Sequence, residues 1–491
     1  MVLVAGLATL AAWVERWWFP RAWHEVEAVA SVFYRGDAVA FQAFARALAD
    51  GRVFDNGIPF HPPGWPLLLA VLSTDGPLAA KTLTAFLGAV TVGASTVVAA
   101  RLGGLGAASA VGVLGTFHFG HLVISATPNS EALYGCAIAF VLLLGLRWMD
   151  NGRTRPAEAG EGGWTKPGWA AATGGLAGLA CLVRAEFLLG AVLLVCLAWW
   201  RGAGRREILA FVVTTALVLT PTTVWHWRSL TAFNEAHPLP FPGPLPRLAP
   251  VTSYGAFNFA MANHERADGE PNRDHPWLDA CDDEMLERGL LDLDCPAAYG
   301  LYVSGYRAGL EWLVTHPADA AALWWRKAAM TAGFLAHGYG VDNLGAGVEG
   351  VRRRVDVLDP AGRGLIPVHV ALLALGVFQV RRRQTALLLL GVPVVTLAAS
   401  TLLFYGYVRL GLAYMPVFWV LQGLGAARVL AVVAPRAPAF RGALVALALA
   451  LACLAGDAWR AGLSRQIVLD GPRGPAGAIV EDETLSLRHI R

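Results

Sequence analysis

The chain has 491 residues, 56% of them hydrophobic and 15% charged, with a mean hydropathy of +0.49. Such a chain cannot cover a water-facing surface with polar groups, so composition excludes a soluble globular protein and points to one that crosses a membrane many times. A formal net charge of +3, with no basic tract, excludes nucleic acid as a partner.

The hydrocarbon core of a bilayer is about 30 Å thick, so a crossing helix needs about 20 mostly apolar residues, and about eleven stretches qualify. They lie near 2–18, 78–100, 105–124, 130–148, 168–184, 186–200, 207–225, 363–380, 384–402, 411–430 and 442–457. The expected fold is therefore an all-α polytopic membrane bundle. The first stretch, MVLVAGLATLAAWV, lacks the charged start and small-residue cleavage site of a signal peptide and is read as an anchor. Short loops rich in Lys and Arg stay cytoplasmic. Arg101, then Arg147, Arg153, Arg155 and Lys166, then Arg201, Arg205 and Arg206, then Arg381–Arg383, then Arg428, Arg436 and Arg441 make every second loop basic. With the N-terminus inside, residues 19–77 and 226–362 fall on the outer face, and so does the tail 458–491. The organisation expected is an N-terminal transmembrane module (1–225) with a first outer loop (19–77), an extracytoplasmic region (226–362), C-terminal transmembrane helices (363–457) and the tail.

The first outer loop carries the most information. Tyr34–Leu69 reads YRGDAVAFQAFARALADGRVFDNGIPFHPPGWPLLL. Ala38, Phe41, Phe44, Ala45 and Leu48 fall at helical spacing, with Asp37 in the first turn, where the helix dipole favours a carboxylate. Such a helix would lie along the membrane surface. HPPGWP then stiffens the backbone before an apolar run too short to span.

The order of these pieces resembles the GT-C fold of polyprenyl-phosphate-dependent glycosyltransferases, closest to the protein O-mannosyltransferase and aminoarabinose-transferase superfamily of bacteria. ATPNSEALYG at 126–135 is similar to that family's P-x-S/T-E element, and GLACLVRAEFLL at 178–189 to its G-L-x-x-L-x-R element. GAFNFAMANHERADGEPNR at 255–273 resembles its G-x-N-x-x-x-G-N loop, with Ala262 in place of the second Gly. THPADAAALWWRKAA at 315–329 is similar to its outer-loop hP…K helix, and YVRLGLAYMPVF at 407–418 to its R-Y-x-x-x-x-P element. The resemblance covers about residues 1–430. Protein mannosyltransferases carry Asp-Glu where this chain has Asp37-Ala38, so the role of that Glu does not carry over.

The resemblance implies an inverting glycosyltransferase at the outer face of the bacterial cytoplasmic membrane. It would move a sugar from a polyprenyl-phosphate donor to a hydroxyl of a lipid, glycan or protein. Asp37 would be the catalytic base, because a phosphate leaving group needs little protonation while an acceptor hydroxyl must lose its proton. His61, Arg184, Lys327, Arg409, Glu131 and Asn263 would contact donor phosphate or substrate. Each has a simpler reading: Asp37 as a helix cap, Arg184 and Glu186 as a mutual ion pair, Arg409 as an interfacial anchor beside its tyrosines, Glu131 as a helix opener, and Lys327 as a cation facing lipid phosphate in general. The alternative function is a transporter or lipid flippase, which should show inverted repeats or helices interrupted mid-membrane.

No cofactor is expected. His237, His264, His275 and His316, with Asp282, Asp283 and Glu284, lack the compact spacing of a zinc site, though a divalent metal stays open. Cys136, Cys181, Cys196 and Cys453 lie in apolar stretches and read as small core residues. Cys281 and Cys295 lie in the outer segment, where an oxidising compartment would let them pair.

Overall fold

The computed structural model describes residues 2–24, 37–51, 61–72, 77–149, 165–236, 243–270, 274–281, 293, 295–336 and 366–433. Among them regular structure is entirely helical. The helices are α1 (Val2–His24), α2 (Asp37–Ala49), α3 (Gly64–Val71), α4 (Pro77–Phe117), α5 (Phe119–Ala126), α6 (Glu131–Met149), α7 (Lys166–Val183) and α8 (Phe187–Trp200). They continue as α9 (Arg205–Ala236), α10 (Gly255–Met261), α11 (Pro296–Thr315), α12 (Pro317–Ala332), α13 (Ile366–Val380), α14 (Gln384–Leu403), α15 (Val408–Leu412) and α16 (Met415–Val433).

Among the described residues five helices are long and apolar enough to cross a membrane: α4, α6, α9, α14 and α16. Helices α8 and α13 are apolar but shorter. The expectation of about eleven spans counted α1 and α7, which fall outside that group, and split α4 in two. The stretch at 442–457 and the tail lie outside the described residues.

Where described, the expected stretches from 2 to 430 nevertheless lie largely on helix. The two read at 78–100 and 105–124 are arms of α4 folded back at Gly104, whose φ of 75° and ψ of −165° break the helix in a conformation that favours glycine. Gly115 packs on Val92 and Gly112 approaches Thr96, so the arms run antiparallel. Helix α1 lies along this hairpin, with Thr9 against Gly93 and Ala8 against Gly112. Helix α9 runs well past the expected 225. Its polar end pairs with the chain at 243–250: Asn234 Nδ2 donates to the Leu245 carbonyl at 3.0 Å, Leu245 N donates to Asn234 Oδ1 at 2.9 Å, and His226 Nδ1 lies 2.7 Å from the Ala249 carbonyl.

Only 11% of the apolar window of α9 is buried against protein, and Leu209, Leu217 and Trp227 point outward. An apolar helix with an open apolar flank fits a bundle bounded by lipid. The basic ends gather together, because Arg383 Nη1 donates to the Arg101 carbonyl at 3.3 Å and Arg101 Nη1 to that of Leu143 at 3.4 Å. The opposite end carries α2, α3 and the cluster around α10 and α11.

That cluster is closed by a disulfide between Cys281 and Cys295, whose Cα atoms are 5.8 Å apart, as the sequence predicts. Cys136 and Cys181 are buried as expected. Cys196 is exposed, because it sits on the outward side of α8 beside Val192. Arg16, near the end of α1, is fully buried against α4 and α5.

Candidate functional site

The amphipathic reading of α2 holds. Ala38, Phe41, Phe44 and Ala45 are buried, and Phe41 and Ala45 pack with Trp65 and Leu69 of α3. Trp65 Nε1 donates to the Pro128 carbonyl at 2.9 Å, which joins the HPPGWP turn to the segment that opens α6. Gly64 sits so close to α7 that a Cβ there would lie 2.8 Å from the Leu182 carbonyl group and 2.9 Å from Val183 N. The HPPGWP and GLACLVR stretches are thus in backbone contact one residue before Arg184. We expect Gly64→Val to push this turn off α7 and lower the melting temperature by several degrees; a melting temperature equal to that of the wild type would show the close approach to be irrelevant.

Helix ends then bring the charged residues together. Asp37 opens α2, Glu131 opens α6, Arg184 follows α7, Glu186 precedes α8 and Arg409 lies in the first turn of α15. Arg409 Nη2 is 2.6 Å from Asp37 Oδ2, across a separation of 372 residues. Glu131 Oε1 lies 3.0 Å from Arg409 Nε and 3.0 Å from Arg184 Nη1. Arg184 Nε donates to Glu186 Oε1 at 2.6 Å, and its Nη2 to the Tyr407 hydroxyl at 3.2 Å. Glu131 is buried, its carboxylate shared by two guanidiniums, whereas the Asp37 side chain keeps 44% of its surface open. Among the described residues, three carboxylates therefore face two guanidiniums. The carboxylates stand at helix N-termini, where the backbone dipoles favour negative charge.

His61 packs against Phe41 and Tyr254, with ring centroids 4.9 and 6.1 Å away. Burial pushes its pKa down; Asp37 pulls it up and Arg409 adds to the lowering, and the net result is below the ordinary 6.5, so the ring is neutral at pH 7. Desolvation of the partly exposed Asp37 carboxyl raises it, but the guanidiniums of Arg409 and Arg184 outweigh that and hold it below its ordinary value.

Lys327 and Asn263 meet each other instead. Lys327 Nζ donates to Asn263 Oδ1 at 3.0 Å and to the Leu402 carbonyl at 3.3 Å, while Asn263 Nδ2 donates to the Leu403 and Phe259 carbonyls, each at 2.8 Å. The Leu402 and Leu403 carbonyls are the last of α14, so both residues cap a helix end whose carbonyls find no donors within the helix. The cap fixes the turn that leads to Tyr407 and Arg409, and Gly406 N adds a bond to the Gly269 carbonyl at 2.8 Å.

Burial lowers the Lys327 ammonium to about 7. An unfolded lysine titrates near 10.4, so between those values the unfolded chain binds more protons and this site makes stability rise with pH. The melting temperature is expected to climb by a few degrees more between pH 7 and pH 9 in the wild type than in Lys327→Met. Equal slopes would contradict the assignment.

Sequence reasoning chose Asp37, Glu131, Arg184, Arg409 and His61, which converge, and weighed the Arg184–Glu186 pair, which forms. It did not single out Tyr254, and it read Tyr407 only as one of the interfacial tyrosines beside Arg409. Tyr407 lies two residues before Arg409, but its bond to Arg184, 223 residues away, left no local signal. Among the described residues no group of three or more His, Cys, Asp or Glu side chains could hold a metal ion. Compared with known proteins, the chain matches no protein-family model and no curated protein.

Proposed function

We propose that this protein is an inverting glycosyltransferase of the bacterial cytoplasmic membrane. It transfers a sugar from a polyprenyl-phosphate donor to an acceptor hydroxyl at the outer face, on a GT-C-type bundle. The observation that carries this reading is the Asp37 carboxylate, open to its surroundings and bound to a guanidinium, at the end of the bundle opposite the basic loops.

The disulfide supports placing that end outside, since such bonds persist in oxidising compartments. In the reaction, Asp37 takes the proton of the acceptor hydroxyl as its oxygen attacks the anomeric carbon. The bond from that carbon to the phosphate oxygen breaks with its electron pair, and polyprenyl monophosphate leaves. Attack opposite the leaving group inverts the anomeric configuration. Arg409 and Arg184 stabilise the charge that grows on the departing phosphate.

The test is product stereochemistry and its pH dependence. With a polyprenyl-phosphate hexose or pentose as donor, nuclear magnetic resonance of the first product formed should show the opposite anomer. The profile of kcat/KM reports the free enzyme, so its acid limb should fall below the ordinary aspartate value of about 4. Retention of configuration would refute the mechanism.

A further inference from the structure

In the arrangement described, Asp37 is a poor base. Arg409 Nη2 occupies its Oδ2 at 2.6 Å, and a guanidinium at that distance opposes uptake of a proton. The same cluster is also a poor phosphate site, because Asp37, Glu131 and Glu186 already neutralise Arg184 and Arg409. A phosphate can enter only by taking a guanidinium from a carboxylate.

The geometry singles out which carboxylate yields. Glu131 has 2% of its side chain exposed and is shared by both arginines. Glu186 is two residues from Arg184 and bound to its Nε at 2.6 Å. Asp37 is the most open of the three, at 44%, and holds Arg409 through one terminal nitrogen.

We infer that the donor phosphate and Asp37 compete for Arg409, so that donor binding itself frees the base. Resting on the proposed function, this makes the order of events a property of one ion pair. The phosphate takes Arg409 Nη2, and Asp37 Oδ2 is released to meet the acceptor hydroxyl. When Asp37 accepts the acceptor's proton it becomes neutral and no longer competes, so Arg409 stays with the departing polyprenyl monophosphate. Loss of that proton to water restores the carboxylate, which recaptures Arg409 and expels the phosphate. Donor therefore binds before acceptor, and Arg409 alternates between the two partners in each cycle.

The test is binding rather than turnover. Long-chain polyprenyl monophosphate is titrated onto purified wild-type protein, Asp37→Asn, Asp37→Ala and the double variant Asp37→Asn/Arg409→Gln in lipid nanodiscs, with the parent polyprenol and inorganic phosphate in parallel. Removing the competitor is expected to tighten monophosphate binding by about tenfold or more in both single variants, with the gain lost in the double variant and absent for polyprenol. The same gain with inorganic phosphate would place the effect on the phosphate group alone. A gain confined to the lipid would place it on the headgroup as the tail presents it, and either result supports the exchange. Binding that is unchanged or weaker in the two single variants, while the wild type still binds and transfers, would overturn the exchange and leave the proposed function standing. Failure of the wild type to bind the monophosphate at all would remove both.

Discussion

Replacing Glu131 by alanine is expected to lower sugar transfer by a hundredfold or more and to destabilise the protein. The carboxylate is buried and its Oε1 lies 3.0 Å from a nitrogen of each arginine. Without it, two guanidiniums converge with no shared counter-charge, and breaking a buried pair by removing one partner costs about 3–5 kcal/mol. The arginines would relieve that repulsion by separating, and a displacement of about 1 Å in a catalytic array costs about 10²-fold. Glu131→Gln keeps the volume and one acceptor oxygen, so it should recover stability more than activity. Transfer rates and melting temperatures of the two variants distinguish this from simple packing, for which Glu131→Gln would restore both together.

Arg16→Leu is expected to have the largest effect on stability. Its guanidinium donates to the Gly115 carbonyl at 2.6 Å and to the Thr116 and Ala12 carbonyls, both at 3.3 Å. It also reaches Ser125 Oγ at 3.2 Å and His121 Nδ1 at 3.0 Å. Gly115 and Thr116 stand in the last turn of α4, where carbonyls have no partner within the helix. Arg16 thus caps one helix from another and places a cation at the negative end of its dipole. The substitution leaves at least two buried carbonyls unsatisfied, at about 1–3 kcal/mol each. We expect Arg16→Leu to be recovered in low yield with a clearly lowered melting temperature. A variant as stable as the wild type would show that the carbonyls find other partners.

How much of this was legible in the sequence depends on the range of the interaction. Hydropathy places α6, α7, α8, α14 and α16 within a few residues of where they lie, because burial in lipid is decided segment by segment. The turn of α4 was marked by Gly103 and Gly104 between two apolar runs, and the helix beginning at Asp37 by its 3.6-residue period. Partner choice was not legible. Glu131 and Arg184 are separated by 53 residues and Arg184 and Tyr407 by 223, and no local pattern says which ends of which helices meet.

Arg16 and Lys327 illustrate the same limit from the other side. A cation at the end of an apolar run carries no sign of its partner, and a lysine on an amphipathic helix reads as facing phosphate. In the fold each turns inward to satisfy the carbonyl end of a neighbouring helix, and two of the expected phosphate contacts, Lys327 and Asn263, are engaged in that way. A long flexible stem ending in donors serves either purpose, and only the position of the neighbouring helix end decides.

The central claim is that Asp37 is the base for transfer from a polyprenyl-phosphate sugar. It is tested most directly by single-turnover measurement with purified protein in lipid nanodiscs, a donor labelled in its sugar, and Asp37→Asn beside the wild type at equal amounts of folded protein. The wild type should release polyprenyl monophosphate and form glycosylated acceptor in equal amounts, with Asp37→Asn slower by about 10²–10⁴-fold. Transfer by Asp37→Asn at the wild-type rate would contradict the account.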